Sequence, residues 1–379
     1  MISDVPIGVM LSGGIDSSLV AAIAQKQSLK KINTYSIAFS SKGYDESKYA
    51  KKISSILSTS HNEFIIDNYS IERLIEQIPY YYDEPFADSS QIPSMLISSE
   101  LKKKVSVALT GDGGDEVFGG YSRYIWGDKI SKICSILPLN TRNFLSKTLL
   151  GFSSESLNKI NELVSHSLIP PQFGDRLKKV SKILNSRSNY EIYLKLITQM
   201  EENVLIKTSS KNKNKDSFNL FENNHISHAM QIMDMKNYLP GDILVKIDRA
   251  SMAYGLELRS PLLDYRLVEF CFKNLCLENK IHKRKGKFLL RKILSRYIPM
   301  KLINRPKMGF AVPLALWLRK RLKNWMLEIL SEDKLKRQKI FHYEFVKKLI
   351  DEHISKKKNN QYGLWNILMF QIWYDKWME

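Results

Sequence analysis

The feature that most constrains the fold is a short polar turn, Ser-Gly-Gly-Ile-Asp-Ser at residues 12–17, between an apolar run and a helix-forming stretch. The run at 7–11 predicts a buried strand, and the stretch at 16–27 predicts a helix. A helix N-terminus offers free N–H groups, and adjacent glycines let the backbone approach an anion closely. Asp16 inside the turn is explained by a cation such as Mg²⁺ that bridges it to bound phosphate. The turn therefore predicts a phosphate-binding loop, and it lacks the Gly-Lys-Ser/Thr of a Walker loop.

Strand and helix patterns alternate over the first 125 residues or so. Strands are predicted at 7–11, 32–39, 61–67 and 105–109, and helices at 16–27, 45–57, 71–78 and 93–103. This order predicts an α/β fold, a parallel sheet with right-handed crossovers and helices on both faces. Ligands of such sheets lie beyond the carboxyl ends of the strands, so one edge would gather residues 12–17, 39–41 and 110–116.

The strand signal fades after about residue 127. Helices are predicted at 140–150, 154–166, 172–183, 190–200, 228–238, 261–272, 287–298, 313–330, 345–356 and 362–378. The polar stretch 209–216 predicts an exposed loop. We therefore divide the chain into an α/β core at 1–127 and a mainly helical part at 128–379.

Charge and cysteine content narrow the class of protein. The net charge is +19, but the basic clusters are dispersed and none is interleaved with aromatic residues, which favours a solvated surface over nucleic-acid binding. The three cysteines have no metal-site spacing and fit reduced thiols in the cytoplasm. No apolar run approaches the roughly 18 residues of a membrane span, and the N-terminus has no signal-peptide pattern. We expect a cytoplasmic protein with no membrane partner.

A second motif follows the strand predicted at 105–109. Residues 110–121 read Thr-Gly-Asp-Gly-Gly-Asp-Glu-Val-Phe-Gly-Gly-Tyr, with three acidic side chains among five glycines. On an edge that binds phosphate these acids need a cation, so Asp16 and Asp115 are predicted to hold Mg²⁺ together. Asp112 is then predicted to meet a substrate amine or accept a proton. The spacing of a calcium-binding loop is absent.

The two motifs together resemble the synthetase domain of the glutamine-hydrolysing asparagine synthetases, in the PP-loop superfamily of ATP pyrophosphatases. Three later segments agree in order with that family: 242–252, 255–264 and Arg-Pro-Lys-Met-Gly-Phe at 305–310. The resemblance runs from about residue 3 to residue 330. It implies the adenine nucleotide alpha hydrolase-like fold, extended by a largely helical C-terminal part.

The resemblance also implies residue roles. Binding of ATP and pyrophosphate is implied for Met10, Ser12, Gly13, Gly14, Asp16, Ser17, Ser18, Phe39, Thr110 and Gly111. Mg²⁺ coordination is implied for Asp16 and Asp115, and catalytic roles for Asp112 and Lys307. Asp112 stands where typical family members have glutamate, and Gly114 replaces a common serine. These two differences leave open which amino acid or other carboxylic acid the chain would accept as substrate.

The implied reaction is adenylation of the aspartate side-chain carboxylate, or of a related acid, by ATP, followed by attack of ammonia. Full-length family members begin with a glutaminase domain, whereas here Met1 lies eleven residues before Ser12 and the earliest cysteine is Cys134. We therefore expect no glutaminase in this chain. Four alternatives stay open: free ammonia, ammonia from a separate glutaminase subunit, an amine in place of ammonia, or a chain that is a fragment of a longer gene. A homodimer stays open as well.

Other functions remain open at this point. The acceptor chemistry could instead be closure of a β-lactam or peptide ring, or amidation of a sugar acid. A tRNA-modifying PP-loop enzyme and an inactive binding partner are further alternatives. For Asp248, Arg249, Glu257 and Arg259 a buried structural ion-pair network is as good an interpretation as a catalytic one.

Overall fold

A computed structural model describes residues 1–39, 47–66, 70–151, 173–200, 204–206, 215–304 and 312–379. Its centre is a five-stranded, wholly parallel sheet in the order β3-β2-β1-β4-β5. The strands are β1 (Ile7–Met10), β2 (Asn33–Phe39), β3 (Ser60–Ile66), β4 (Val107–Leu109) and β5 (Glu257–Arg259). The predicted α/β class and its four predicted strands are confirmed.

The fifth strand is absent from the sequence-based prediction. β5 pairs with β4 through Val107 and Glu257, and it lies within the part predicted to be helical. It is three residues long and carries two charged side chains around a single leucine, Leu258. So short a run has no apolar alternation to detect, which explains the omission.

Helices cover the sheet on both faces. The helices of the first part are α1 (Ile15–Gln27), α2 (Ser47–Leu57), α3 (Ser70–Tyr82), α4 (Gln91–Lys102) and α5 (Gly114–Val117). Val9 and Leu11 are buried with Leu19 and Ala21 of α1 in one apolar cluster. The short apolar strand and the Leu/Val/Ala-rich helix therefore fix the turn between them at the carboxyl edge of the sheet.

The rest of the described chain is mainly helical. Its α-helices are α6 (Ser122–Ile136), α7 (Leu139–Gly151), α8 (Phe173–Leu184), α9 (Asn189–Ile197), α10 (Lys215–Asn223), α11 (Ile226–Met233), α12 (Val245–Met252), α13 (Tyr265–Asn274), α14 (Leu277–Lys280), α15 (Phe288–Leu294), α16 (Met300–Ile303), α17 (Leu314–Arg319), α18 (Lys323–Ile329), α19 (Glu332–Gln338), α20 (Tyr343–Ile354) and α21 (Gln361–Trp377). The predicted helix at 154–166 and most of the predicted loop at 209–216 lie outside the described residues. Lys215 and Asp216 belong to α10, so the loop prediction was wrong there.

A π-helix occupies Asp234–Leu244, where α-helix was predicted up to residue 238. Pro240 lies inside it and has no N–H to donate, so the regular α-helical hydrogen-bond pattern cannot run through this point. π-Helical turns are rare and frequently lie at functional sites. The segment is followed directly by α12 and carries Tyr238 and Asp242, which return below.

The described chain forms two compact units. The first comprises Met1–Tyr121, Gln231–Pro313 and Ile372–Glu379 and contains the sheet; the second comprises Ser122–Met230 and Leu314–Gln371. The division at residue 127 stays a prediction. In the described part of the chain, no helix combines the length and the apolar character needed to cross a membrane.

Candidate active site

The loop after β1 is shaped by its own serine hydroxyls. Ser12 Oγ lies 3.0 Å from Ser17 Oγ, and the Gly14 N–H donates to Ser12 Oγ at 3.3 Å. Gly13 has φ +73°, and a Cβ there would lie 2.9 Å from the backbone nitrogen of Ala50, so this position needs glycine. Ser18 is fully buried in the first turn of α1.

The loop after β4 lies directly against the first loop. A Cβ on Gly111 would lie 2.7 Å from the Ser17 backbone nitrogen, and one on Gly114 would lie 2.5 Å from Asp16 Oδ1. The Thr110 N–H donates to the Arg259 carbonyl at 2.9 Å, which fixes the start of this loop on β5. The glycines thus bring the two predicted motifs into contact at the carboxyl ends of β1 and β4.

Asp16 and Asp115, the predicted metal ligands, meet at one cation. The Lys287 ammonium donates to Asp16 and lies 2.8 Å from Asp115 Oδ1. The Lys287 side chain is only 7% exposed. Burial alone would lower the pKa of Lys287, but the two carboxylates outweigh burial and raise that pKa. The ammonium therefore stays charged and neutralises part of the acidic pair.

The carboxylate pair fits Mg²⁺ by the chemistry of its donors and by their convergence on a single cation. Carboxylates are the hard oxygen ligands that Mg²⁺ takes, and both already reach a single cationic group. Gly114 and Gly120 pack directly against the pair, since a Cβ at either would collide with Asp16 or Asp115. Among the residues described, no group of three or more His, Cys, Asp or Glu side chains could hold a metal ion. A Mg²⁺ ion at this pair would have two protein ligands, and its other ligands would come from water or phosphate.

Asp112 lies within the electrostatic influence of two lysines, Lys246 and Lys287. Burial raises its pKa above the ordinary value, while the Thr110 hydroxyl and the Lys246 and Lys287 ammonium groups act in the opposite direction. Its carboxylate therefore holds a proton more readily than a solvated aspartate does. Such a group suits a proton acceptor close to a reacting amine.

A second buried ion pair lies beside Asp112. Lys246 Nζ lies 2.8 Å from Asp88 Oδ2, and Asp88 also accepts from the Ser90 N–H at 2.9 Å. Burial, and next the charge of Asp88, raise the pKa of Asp242 to about 7. Tyr82 adjoins this cluster, its hydroxyl donating to the Lys246 carbonyl at 3.1 Å. The π-helix and α12 thus contribute Asp242 and Lys246 to a buried cluster of mixed charge.

The far end of the second loop is held by Glu116. Glu116 is buried and accepts from the Tyr121 hydroxyl at 2.6 Å, and the Tyr121 ring packs edge-on against Tyr238. Burial raises the pKa of Glu116. Gln231 Nε2 donates to the Glu116 carbonyl at 3.3 Å. These contacts fix the loop that carries Asp115.

The remaining predicted site residues have simpler placements. Met10 ends β1 and pairs with Tyr35 in the sheet register, and Phe39 ends β2. Lys307, with the whole of 305–310, lies outside the described residues, as does the side chain of Phe39.

The four charged residues that were interpreted as a buried ion-pair network, Asp248, Arg249, Glu257 and Arg259, do not form one. Arg249 pairs with Asp83 at 2.8 Å and Glu257 with Arg259 at 2.5 Å, all four substantially exposed, and Asp248 is exposed too. The buried-network interpretation was therefore wrong.

Sequence reasoning missed the buried charges at Lys246, Asp88, Asp242 and Lys287. Lys287 lies two residues beyond the basic cluster at 283–285, and it is predicted as the first residue of a helix. In the structure it precedes α15 with φ +57°. Its partner Asp16 is 271 residues away along the chain, so no local pattern signals the pairing.

The fold is an α/β domain whose candidate site lies at the carboxyl edge of a parallel sheet. The chain belongs to the asparagine synthase family, which it matches over residues 1–375.

Individual relatives agree with this family. The chain is 30% identical over 377 residues to asparagine synthetase (glutamine-hydrolyzing) 1 of Bacillus subtilis strain 168, covering 99% of this chain and 56% of the relative. Asparagine synthetase (glutamine-hydrolyzing) 3 of the same strain is 24% identical over 368 residues, covering 93% and 52%. Asparagine synthetase (glutamine-hydrolyzing) of Zea mays is 36% identical over 134 residues, covering 32% and 22%. The chain thus spans little more than half the length of the two relatives that it matches nearly end to end.

Proposed function

We propose that the chain is an ATP-dependent amide ligase that adenylates a carboxylate and then replaces AMP by ammonia. The observation that carries the proposal is the meeting of Asp16 and Asp115 at one cation, beside the loop at 12–17. Membership of the asparagine synthase family supports the same chemistry. Aspartate, or a related acid, is the proposed acceptor because the relatives above are named asparagine synthetases.

In the first step a carboxylate oxygen attacks the α-phosphorus of ATP, and pyrophosphate leaves with the bridging oxygen. The proposed pyrophosphate donors are the hydroxyls of Ser12 and Ser17, the N–H groups of Gly13 and Gly14, and the start of α1, where Ser18 lies. Mg²⁺ held by Asp16 and Asp115 would neutralise the negative charge that builds up on the leaving group. Backbone groups at Met10, Phe39, Thr110 and Gly111 are proposed to hold adenine and ribose.

In the second step ammonia attacks the acyl carbon, and the tetrahedral intermediate loses AMP and a proton. Asp112 is the proposed proton acceptor, since its partial burial and raised pKa suit that role. Lys307 is proposed to stabilise negative charge on the α-phosphate and on the intermediate. We propose that the ammonia arrives free or from a separate glutaminase subunit. We also propose that the chain associates with a second copy of itself as a homodimer.

The proposal is tested by Asp16→Asn and Asp115→Asn, each of which removes one charge while keeping the side-chain shape. We expect AMP formation from Mg-ATP, with aspartate and ammonium present, to fall by about 100-fold or more in each variant, as when a single transition-state contact is lost. Asp333→Asn, on the exposed start of α19, is the matched control and should retain the parent rate. Circular dichroism checks the fold. Near-normal AMP formation in both site variants would remove the assignment of these carboxylates.

A further inference from the structure

Lys287 lies where the proposed function requires a metal ion. Its ammonium contacts both Asp16 and Asp115, the two carboxylates assigned to Mg²⁺. The Lys287 side chain is only 7% exposed and lies within ion-pair distance of both carboxylates. The same two side chains therefore already have a cation between them, supplied by the chain itself.

The backbone holds Lys287 firmly in this position. Its N–H donates to the Phe118 carbonyl at 3.1 Å, on the same loop that carries Asp115. Gly286 packs directly on the Gly119 carbonyl, where a Cβ would collide. Arg291 Nε donates to the Gly286 carbonyl at 2.9 Å. These contacts tie the start of α15 to the second loop, so the ammonium is aimed at the carboxylate pair rather than extended into solvent.

A divalent cation and an ammonium cannot both lie within contact distance of this pair at little cost. Like charges a few ångströms apart repel strongly in a partly buried site. The pair is also too small to hold Mg²⁺ unaided, because Mg²⁺ demands six ligands and usually takes one or two carboxylates together with substrate phosphates. The triphosphate of ATP offers both the missing oxygen ligands and a negative partner for a displaced ammonium.

We propose that Lys287 competes with the divalent cation for Asp16 and Asp115, so that the metal enters the site only together with the triphosphate of ATP. The inference rests on the proposed function, which assigns these two carboxylates to Mg²⁺. Lys287 is on this account a positioning residue. It keeps the two carboxylates facing one another, and it weakens the binding of metal in the absence of ATP.

The test is a titration with Mn²⁺, with and without a non-hydrolysable ATP analogue. The electron paramagnetic resonance signal of free Mn²⁺ reports how much of the metal is bound. For the parent protein we expect weak binding of Mn²⁺ alone and at least tenfold tighter binding with the analogue. Lys287→Met keeps the length of the side chain and removes its charge, and we expect it to bind Mn²⁺ alone at least tenfold more tightly than the parent. Lys280→Met is the matched control, because Lys280 is equally buried but packs on the Phe272 ring, at 4.1 Å from its centroid. It should bind Mn²⁺ as the parent does.

Two results would overturn the competition. One is that Lys287→Met binds Mn²⁺ alone no more tightly than the parent does, while the parent binds Mn²⁺ in the presence of the analogue. That result would leave the metal assignment in place and contradict the competition between Lys287 and the metal. The other is a parent protein that binds Mn²⁺ equally well without nucleotide, a measurement that needs no variant to fold. If no protein binds Mn²⁺ under any condition, the metal assignment of the proposed function falls with it. Lys287→Arg keeps the charge and should leave the binding of Mn²⁺ alone weak.

Discussion

Asp242 is the side chain whose ionisation should affect stability most clearly. It shares a pocket with Asp88 and Lys246, and burial followed by the charge of Asp88 raises its pKa from 3.8 to about 7. A carboxyl group with a pKa raised by folding contributes its full stability below pH 3.8, and loses it as the pH rises through 7. Asparagine at this position cannot ionise, so the stability of the Asp242→Asn protein should not follow that pH dependence.

We therefore expect the parent protein to lose roughly 1–3 kcal/mol of unfolding free energy between pH 5 and pH 8, relative to Asp242→Asn. Urea unfolding of both proteins at the two pH values measures this difference. Asp333→Asn controls for the loss of an acidic residue and should follow the parent. A parent and an Asp242→Asn variant with the same pH dependence would show that Asp242 ionises normally.

Individual site residues differ in how visible they are in the sequence. Asp16, Asp112 and Asp115 were predictable as a group because acidic side chains among glycines, after a strand, have few other uses. Lys287 and Lys246 were not, because a lysine looks the same in the sequence whether it is solvated or buried against a distant carboxylate. Only the fold shows which lysines meet acids.

At the scale of elements, the contact between the two glycine-rich loops is the feature most open to test. Gly111→Ala would place a methyl group 2.7 Å from the Ser17 backbone nitrogen, which cannot yield as a flexible side chain would. We expect a loss of about 1–3 kcal/mol of unfolding free energy from this overpacking, and a further loss of AMP formation as the loops separate.

Gly363→Ala, in α21, is the matched control for that substitution, because nothing lies within 4 Å of its Cβ position. Alanine is the better helix former, so this change should stabilise the protein by about 0.5–1 kcal/mol. Thermal unfolding measures both variants. A Gly111→Ala protein as stable and as active as the parent would mean that the loops do not depend on this close approach.

Elements were predictable according to their length and regularity. The first four strands and the helices between them were recognisable because apolar alternation and helical spacing continue over several residues. β5 was missed because three residues carry no period, and the π-helix was missed because Pro240 disturbs hydrogen bonding without changing the apolar pattern. α6 was missed as well, although it spans fifteen residues. Of these segments, β5 forms by pairing with β4.

At the scale of the whole molecule, the family and the sheet were predictable and the organisation of the chain was less so. Ordered motifs identified the asparagine synthase family, which matches residues 1–375. The first compact unit, by contrast, is assembled from three separate segments of the chain. Contacts between segments far apart in sequence leave no trace in composition or periodicity, so this arrangement could not be predicted.

The central claim is that a carboxylate of the acceptor attacks the α-phosphorus of ATP, and isotope transfer tests it most directly. Aspartate labelled with ¹⁸O in its side-chain carboxylate would be incubated with Mg-ATP, the 379-residue chain and ammonium, with glutamine in place of ammonium as a separate arm. We expect amide formation with ammonium and none with glutamine, and one ¹⁸O atom in each AMP, because the attacking oxygen stays on phosphorus when ammonia takes the acyl carbon. AMP without the label, or ADP as the product, would contradict the account.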